Sequence, residues 1–406
     1  HPVLKCHCLA KPRWPVRNVA VRRPKNSQNL VRPRARHSIA VPHAPNRSTI
    51  SNVSEGADMF HDLTIREISN ETSDSVAISF DVPRDLAEIF AFQPGQYLTL
   101  RATVEGDDVR RSYSIASAPG AALTVGVKQV ADGVFSSFAQ GLKPGATVSV
   151  MPPEGRFVCK DEASIVLIAA GSGITPMVAI ASDALARGAN VTLVYGNRKT
   201  ASIMFREALD ALKDKYLNRF SLIHILSRET QDVALLNGRV TGDKVMSLAN
   251  AGAIDLEQAD GVFLCGPGEM IEDVTQALAD RGIAESLIHF ERFYQDGEAQ
   301  RPPSDAALAA AAEGVSVTVV LDGTTRTFQV EAGDNTVLDA AARQGLELPF
   351  SCKGGMCCTC RCKVAQGTAE MATNYSLEKW ELEAGFTLAC QTRPTSDDLV
   401  LDFDAA

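Results

Sequence analysis

Near the C-terminal end, Cys352, Cys357 and Cys360 follow the spacing C-x4-C-x2-C, and a fourth cysteine, Cys390, follows after 29 intervening residues. Three thiolates on one loop with a distant fourth are the donor set of a two-iron, two-sulfur cluster, which carries one electron at a time. An all-cysteine zinc site is the competing reading, but zinc modules usually pair two short C-x2-C hooks rather than place three ligands on one. Gly354 and Gly355 suit a tight loop whose amides turn toward thiolate charge. Cys358 and Cys362 fall off the spacing and read as bystanders. The remaining residues must deliver electrons to such a cluster or take them from it.

Four more motifs carry chemistry. Arg111-Ser112-Tyr113-Ser114 joins an arginine, hydroxyls and an aromatic ring, a set able to hold a phosphate and cover a flat heterocycle. Gly133, Val134, Phe135, Ser136 and Ser137 form a glycine–serine run whose amides can approach a pyrophosphate. Gly171-Ser172-Gly173-Ile174-Thr175-Pro176 follows a buried-strand pattern and opens a helix, the place where a doubly wound sheet binds dinucleotide phosphate. Pro176 stands where the last glycine of the usual fingerprint would be. Cys265-Gly266 closes a later strand at the same edge. Taken singly these are weak: a solvated arginine beside a strand tyrosine would look the same, and Cys265 could be simple packing.

The elements that must position these motifs fall into three styles. From 59 to 159, short alternating segments such as Val76–Phe80, Tyr97–Leu100 and Leu123–Val127 are separated by Pro94-Gly95, Pro119-Gly120 and Pro144-Gly145. That pattern predicts a small antiparallel β-barrel. From 160 to 296, apolar runs at 165–168, 191–195, 221–226 and 261–265 alternate with helical segments, which predicts a doubly wound α/β domain. Residues 297–313 read as a linker ending in an alanine tract, and 314–406 as an α+β domain that opens with a hairpin around Asp322-Gly323.

Charge separates the chain further. Residues 1–54 hold eleven Lys or Arg and no acid, so a net charge of −9 leaves −20 on the rest. An acidic body argues against a nucleic-acid partner. Residues 1–58 read as a disordered basic extension, with the first domain starting near Met59. The uncharged stretch 163–181 is broken by Gly171, Gly173 and Pro176, so no membrane segment is expected. Ten cysteines without a paired framework suit a reducing cytoplasm.

From about 59 to 403 the chain resembles the ferredoxin–NADP reductase superfamily with a plant-type ferredoxin fused at its C-terminus. Within it, the pattern is nearest to the reductase subunits of phenylacetyl-CoA epoxidases. The resemblance implies FAD, with Arg111, Ser112, Tyr113 and Ser114 as the flavin motif, Tyr113 against the ring and Ser114 near N5. It implies that Gly133 to Ser137 bind the FAD pyrophosphate and that Gly171, Gly173, Thr175 and Pro176 form the nicotinamide-dinucleotide loop. Cys265 and Gly266 match the nicotinamide site, and the ferredoxin unit takes a β-grasp fold. His289-Phe290-Glu291-Arg292-Phe293 is similar to the end of plant-type reductases, where a glutamate assists hydride transfer and an aromatic ring stacks on the flavin. Ser114, Cys265 and Glu291 are then the catalytic set, with Phe293 in the stacking position.

Ser227-Arg228 matches a serine–arginine pair that binds the 2′-phosphate of NADP in this family. A dianionic phosphate calls for arginine and hydroxyl, whereas a ribose hydroxyl calls for a carboxylate. Neither position is acidic, although Glu229 follows, so NADPH is expected over NADH. The implied path runs from NADPH through FAD and the 2Fe-2S cluster to a separate oxygenase in a multicomponent complex, a di-iron epoxidase of phenylacetate breakdown. Other acceptors fit the same domains: a steroid, aromatic-ring or amine hydroxylase, or a hybrid-cluster protein. A redox-sensing binding module is the reading from another class, and the intact flavin and nucleotide motifs argue against it.

Overall fold

The computed structural model describes residues 59–293 and 301–405; the basic extension expected at 1–58 lies outside them. The first unit is a six-stranded antiparallel barrel. Its strands are β1 (His61–Thr72), β2 (Ser75–Asp81), β3 (Tyr97–Val104), β4 (Asp107–Ser114), β5 (Leu123–Lys128) and β6 (Thr147–Val150), with helix α1 (Val134–Gln140) between the last two. The order is β4-β3-β6-β1-β2-β5, and an Ile115–Val125 bridge joins its two ends. Leu63, Ile78, Leu100, Val125 and Val150 fill the interior, and Phe135 of α1 packs among them. Sequence periodicity alone overlooks β4, because Asp107-Asp108-Val109-Arg110-Arg111 lacks an apolar alternation. Glu105 and Gly106, both at positive φ, form the two-residue turn that pairs it with β3.

The second unit is a five-stranded parallel sheet. It comprises β7 (Ser164–Ala170), α2 (Ile174–Arg187), β8 (Asn190–Asn197), α3 (Arg206–Lys215), β9 (Phe220–Leu226), α4 (Gly242–Asn250), β10 (Gly261–Gly266), α5 (Gly268–Asp280) and β11 (Ile288–Arg292). The order is β11-β10-β7-β8-β9. β7 explains why its apolar run is unbroken. Ile165, Leu167 and Ala169 enter the core on one face of the sheet, while Val166 and Ile168 enter the other.

The third unit begins with α6 (Asp305–Glu313), inside the stretch expected to be linker. Residues 297–300 lie outside the described set, but the alanine tract is helical. Ser304 Oγ caps it by accepting from Ala307 N at 3.2 Å, and alanine has the highest helix propensity. Ser304 N also donates to Glu370 at 2.9 Å, tying the helix to the domain. Then come β12 (Val315–Leu321), β13 (Thr324–Val330), α7 (Val337–Arg343), β14 (Arg361–Met371), α8 (Lys379–Glu383), β15 (Phe386–Leu388) and β16 (Thr392–Asp402). The sheet order β13-β12-β16-β14-β15, with β12 parallel to β16 and α7 packed into the same core, is a β-grasp. No described helix is long and apolar enough to cross a membrane.

Candidate functional site

One face of β4 reaches both other domains. Side chains alternate along a strand, so Arg110, Ser112 and Ser114 share a face while Arg111 and Tyr113 take the other. Buried Arg110 donates to Glu347 at 2.6 Å and sits 4.2 Å over the ring of Phe350. Ser112 Oγ bonds Ser351 Oγ, the residue before Cys352. Ser114 Oγ donates to Glu291 Oε2 at 2.9 Å. The motif singled out for flavin binding thus touches the cluster domain at one end and the nucleotide sheet at the other. On the opposite face, Tyr113 rests against Phe135 with ring centroids 5.7 Å apart.

The flavin loop divides its labour. Gly133 precedes α1 without a side-chain cap, leaving first-turn amides available to a pyrophosphate. A Cβ at Gly133 would lie 2.5 Å from Ser136 Oγ. Ser136 is buried and turned inward, accepting from Val130 N at 3.1 Å and donating to the Gly133 carbonyl at 3.2 Å. Phe135 is core and supports Tyr113 from behind. Val134 and Ser137 are the exposed members of the run.

The nucleotide motifs gather at the carboxyl edge of the parallel sheet, as the fold requires. Gly171 has φ +56°, and Tyr195 OH donates to its carbonyl at 2.9 Å. A Cβ at Gly173 would come within 2.1 Å of the Cys265 carbonyl oxygen, so only glycine lets the loop lie against β10. Pro176 sits in the first turn of α2, where a missing N–H costs no helical bond. Thr175 is buried, its hydroxyl donating to Ser172 O at 3.0 Å. Cys265 is buried and pairs in register with Glu291 on β11. Burial, then the Glu291 charge, pushes its thiol up. Glu291 itself is pushed to about 7 by burial, against the lowering effect of the Ser114 hydroxyl. Phe293, partly buried, packs on the sheet's core.

Ser227 and Arg228 are exposed at the end of β9. Ser227 N donates to Asn197 O at 3.0 Å and Arg228 N to Arg198 O at 2.8 Å, so two arginines flank this corner. The acid that follows, Glu229, accepts the Thr200 hydroxyl at 2.6 Å and its amide at 2.9 Å.

In the cluster loop, Cys352, Cys360 and Cys390 are buried and Cys357 is half-buried. No three metal-ligating side chains converge on one centre among the described residues. The four thiols nonetheless lie close enough to act on one another: Cys352 acts on Cys357, and Cys390, Cys357 and Cys352 act on Cys360. The set fits the four thiolates that would hold a two-iron, two-sulfur cluster. Gly354 N donates to Cys352 Sγ at 3.3 Å. Lys353, Gly355 and Cys358 all have positive φ, which curls the loop around the thiols, and a Cβ on Gly355 would press the Thr373 carbonyl at 2.9 Å.

Sequence reasoning missed the residues that join the domains. Arg156, just past the barrel, donates to Glu381 at 2.7 Å, to Cys358 Sγ at 3.0 Å and to Ser376 O at 3.0 Å. Arg361 Nε lies 2.8 Å from the same Glu381 oxygen, an ion pair whose angle falls short of a hydrogen bond. Arg292 of β11 covers the Tyr375 ring at 4.4 Å. Only Arg292 stands in a motif, His289–Phe293, where no joining role is written for it. Their only sequence trace is charge, which is common on any surface.

Fold and site together define a flavin- and iron–sulfur-dependent electron-transfer reductase. Residues 62–159 match the oxidoreductase FAD-binding domain, 167–276 the oxidoreductase NAD-binding domain, and 319–395 the 2Fe-2S iron-sulfur cluster binding domain. A component of the 1,2-phenylacetyl-CoA epoxidase of Escherichia coli (strain K12) is 44% identical over 355 residues, 85% of this chain and 98% of that protein. The ferredoxin reductase component of 3-ketosteroid-9-alpha-monooxygenase from Rhodococcus rhodochrous is 35% identical over 350 residues, 84% of this chain and 96% of that one. The solved structure of phthalate dioxygenase reductase shares the fold, with a TM-score of 0.54 and 22% identity over 85% of this chain and 98% of that one. The chain belongs to the ferredoxin–NADP reductase-like family whose members carry a C-terminal 2Fe-2S domain. It is an NAD(P)H-dependent oxidoreductase using FAD and a 2Fe-2S cluster.

Proposed function

We propose that the chain is the reductase component of a multicomponent oxygenase and that its acceptor is an epoxidase acting on phenylacetyl-CoA. The observation that carries this is the single β4 face that bonds the nucleotide sheet through Ser114 and the cluster loop through Ser112. When bound, FAD accepts a hydride and passes electrons singly to the cluster. The chain's own residues set the geometry. Tyr113 presents its ring over Phe135, and the Gly171–Pro176 loop abuts Cys265. Ser114 and Glu291 hold a shared proton beside the place where nicotinamide would meet flavin. Cys352, Cys357, Cys360 and Cys390 would hold the irons.

The 44% identity to the epoxidase component, over nearly its whole length, supports that acceptor ahead of a steroid hydroxylase. Arg228, Arg198 and Ser227, with Glu229 turned toward Thr200, support NADPH as donor. The described cysteines are all free, which favours a cytoplasmic home. The test is NADPH consumption by the purified protein with a reconstituted phenylacetyl-CoA epoxidase and its substrate. Coupled epoxide formation is expected. Brisk cytochrome c reduction without coupling would reject this acceptor and keep the reductase.

A further inference from the structure

Tyr97 opens β3 and is 5% exposed. Its opposed partner across the hairpin is Ser114, so both side chains stand on one face of the β3–β4 ribbon. The Tyr97 hydroxyl donates to the carbonyl oxygen of Cys357 at 2.5 Å, with Thr359 Oγ1 at 2.9 Å and the Glu154 carboxylate at 3.1 Å. The Thr359 hydroxyl donates to that same Glu154 oxygen at 2.8 Å. The barrel therefore grips the cluster loop at Cys357 and beside Cys360. Glu154 is itself anchored, its backbone paired both ways with Tyr97 at 2.8 and 3.0 Å. The ring is seated as firmly: Gly155 has φ +113°, and a Cβ there would lie 3.0 Å from Tyr97 Cδ1. A phenylalanine would fill the same space, so what the hydroxyl adds is the bond to the loop.

We infer that Tyr97 is a positioning residue for electron transfer, holding the Cys357 carbonyl against the ribbon that carries Ser114 and so setting the separation of the flavin and cluster sites. The inference rests on the reductase reading above. NAD(P)H would supply two electrons to the flavin as a hydride, the flavin would pass one of them to the oxidised cluster and keep the other, and no bond or proton changes at Tyr97. Small losses of registration between reacting groups carry large rate costs.

The test uses the holoenzyme and the variants Tyr97→Phe and Thr359→Val, each of which removes one hydroxyl. Cluster reduction after rapid mixing with NADPH is read beside NADPH–ferricyanide turnover, thermal midpoint and hydrogen exchange over residues 351–360. The expected result is cluster reduction slowed about tenfold, faster exchange in the loop, and unchanged ferricyanide turnover and midpoint. Should Tyr97→Phe not fold, Thr359→Val carries the same measurement. Unchanged cluster reduction, or an equal fall in both activities, would overturn the assignment. A wild-type protein whose flavin and cluster never reduce would overturn the reductase reading and this assignment together.

Discussion

Ser114 Oγ donates to the Glu291 carboxylate at 2.9 Å across 177 residues of sequence, so the last residue of a barrel strand meets the outermost strand of the nucleotide sheet. Glu291 is half-buried there, and burial pushes its carboxyl up to about 7.

Glu291→Gln follows directly. The raised carboxyl means the folded state keeps a proton that the unfolded chain loses. Its contribution to stability is therefore complete below the ordinary carboxylate range and declines as pH rises toward about 7. The variant should flatten that decline, seen as a smaller change of thermal midpoint between about pH 5 and 7. It should also slow flavin reduction by NADPH. An unchanged pH profile would mean Glu291 is not desolvated.

Cys360→Ser should separate the two halves of the electron path. Cys360 lies buried with Cys390 in the core of the third domain. Reduction of cytochrome c should fall to background while NADPH–ferricyanide turnover through the flavin persists. Equal loss of both would contradict separate redox sites.

Arg228→Ala should raise KM for NADPH far more than for NADH. Loss of a charge-assisted bond to the 2′-phosphate is worth about 1.5–3 kcal/mol, on the order of tenfold to a hundredfold in KM. The comparison is made by steady-state kinetics with both coenzymes. Equal effects would remove Arg228 from the 2′-phosphate site.

Glu381 is the buried end of an inter-domain ion pair: its side chain is 0% exposed, while that of Arg156 is 47% exposed. Glu381→Ala removes the shared partner of two arginines and should cost about 1.5–3 kcal/mol in chemical denaturation. Arg156→Ala leaves the carboxylate paired with Arg361 and should cost no more than about 1 kcal/mol. Similar costs for both would show that Arg361 does not compensate.

The local alphabet of this protein was legible in its sequence. Thiol spacing, the glycine loop after β7, the unbroken apolar runs of the parallel strands and the Asp322-Gly323 turn are short-range signals set by sterics and by the period of each element. They identified three fold types. Helix α6 escaped because a capped alanine tract with no apolar stripe looks like a spacer. Strand β4 escaped because its polar residues owe their pairing to β3 and a turn. What only the tertiary structure decided is how the motifs meet. Arg110, Ser112 and Ser114 face other domains because a strand's period of two aims them together, and Tyr97 joins them because it lies opposite Ser114 across the hairpin. Contacts such as Tyr97 to Cys357 span 260 residues and depend on two folded surfaces fitting, a relation that no local pattern of residue types records.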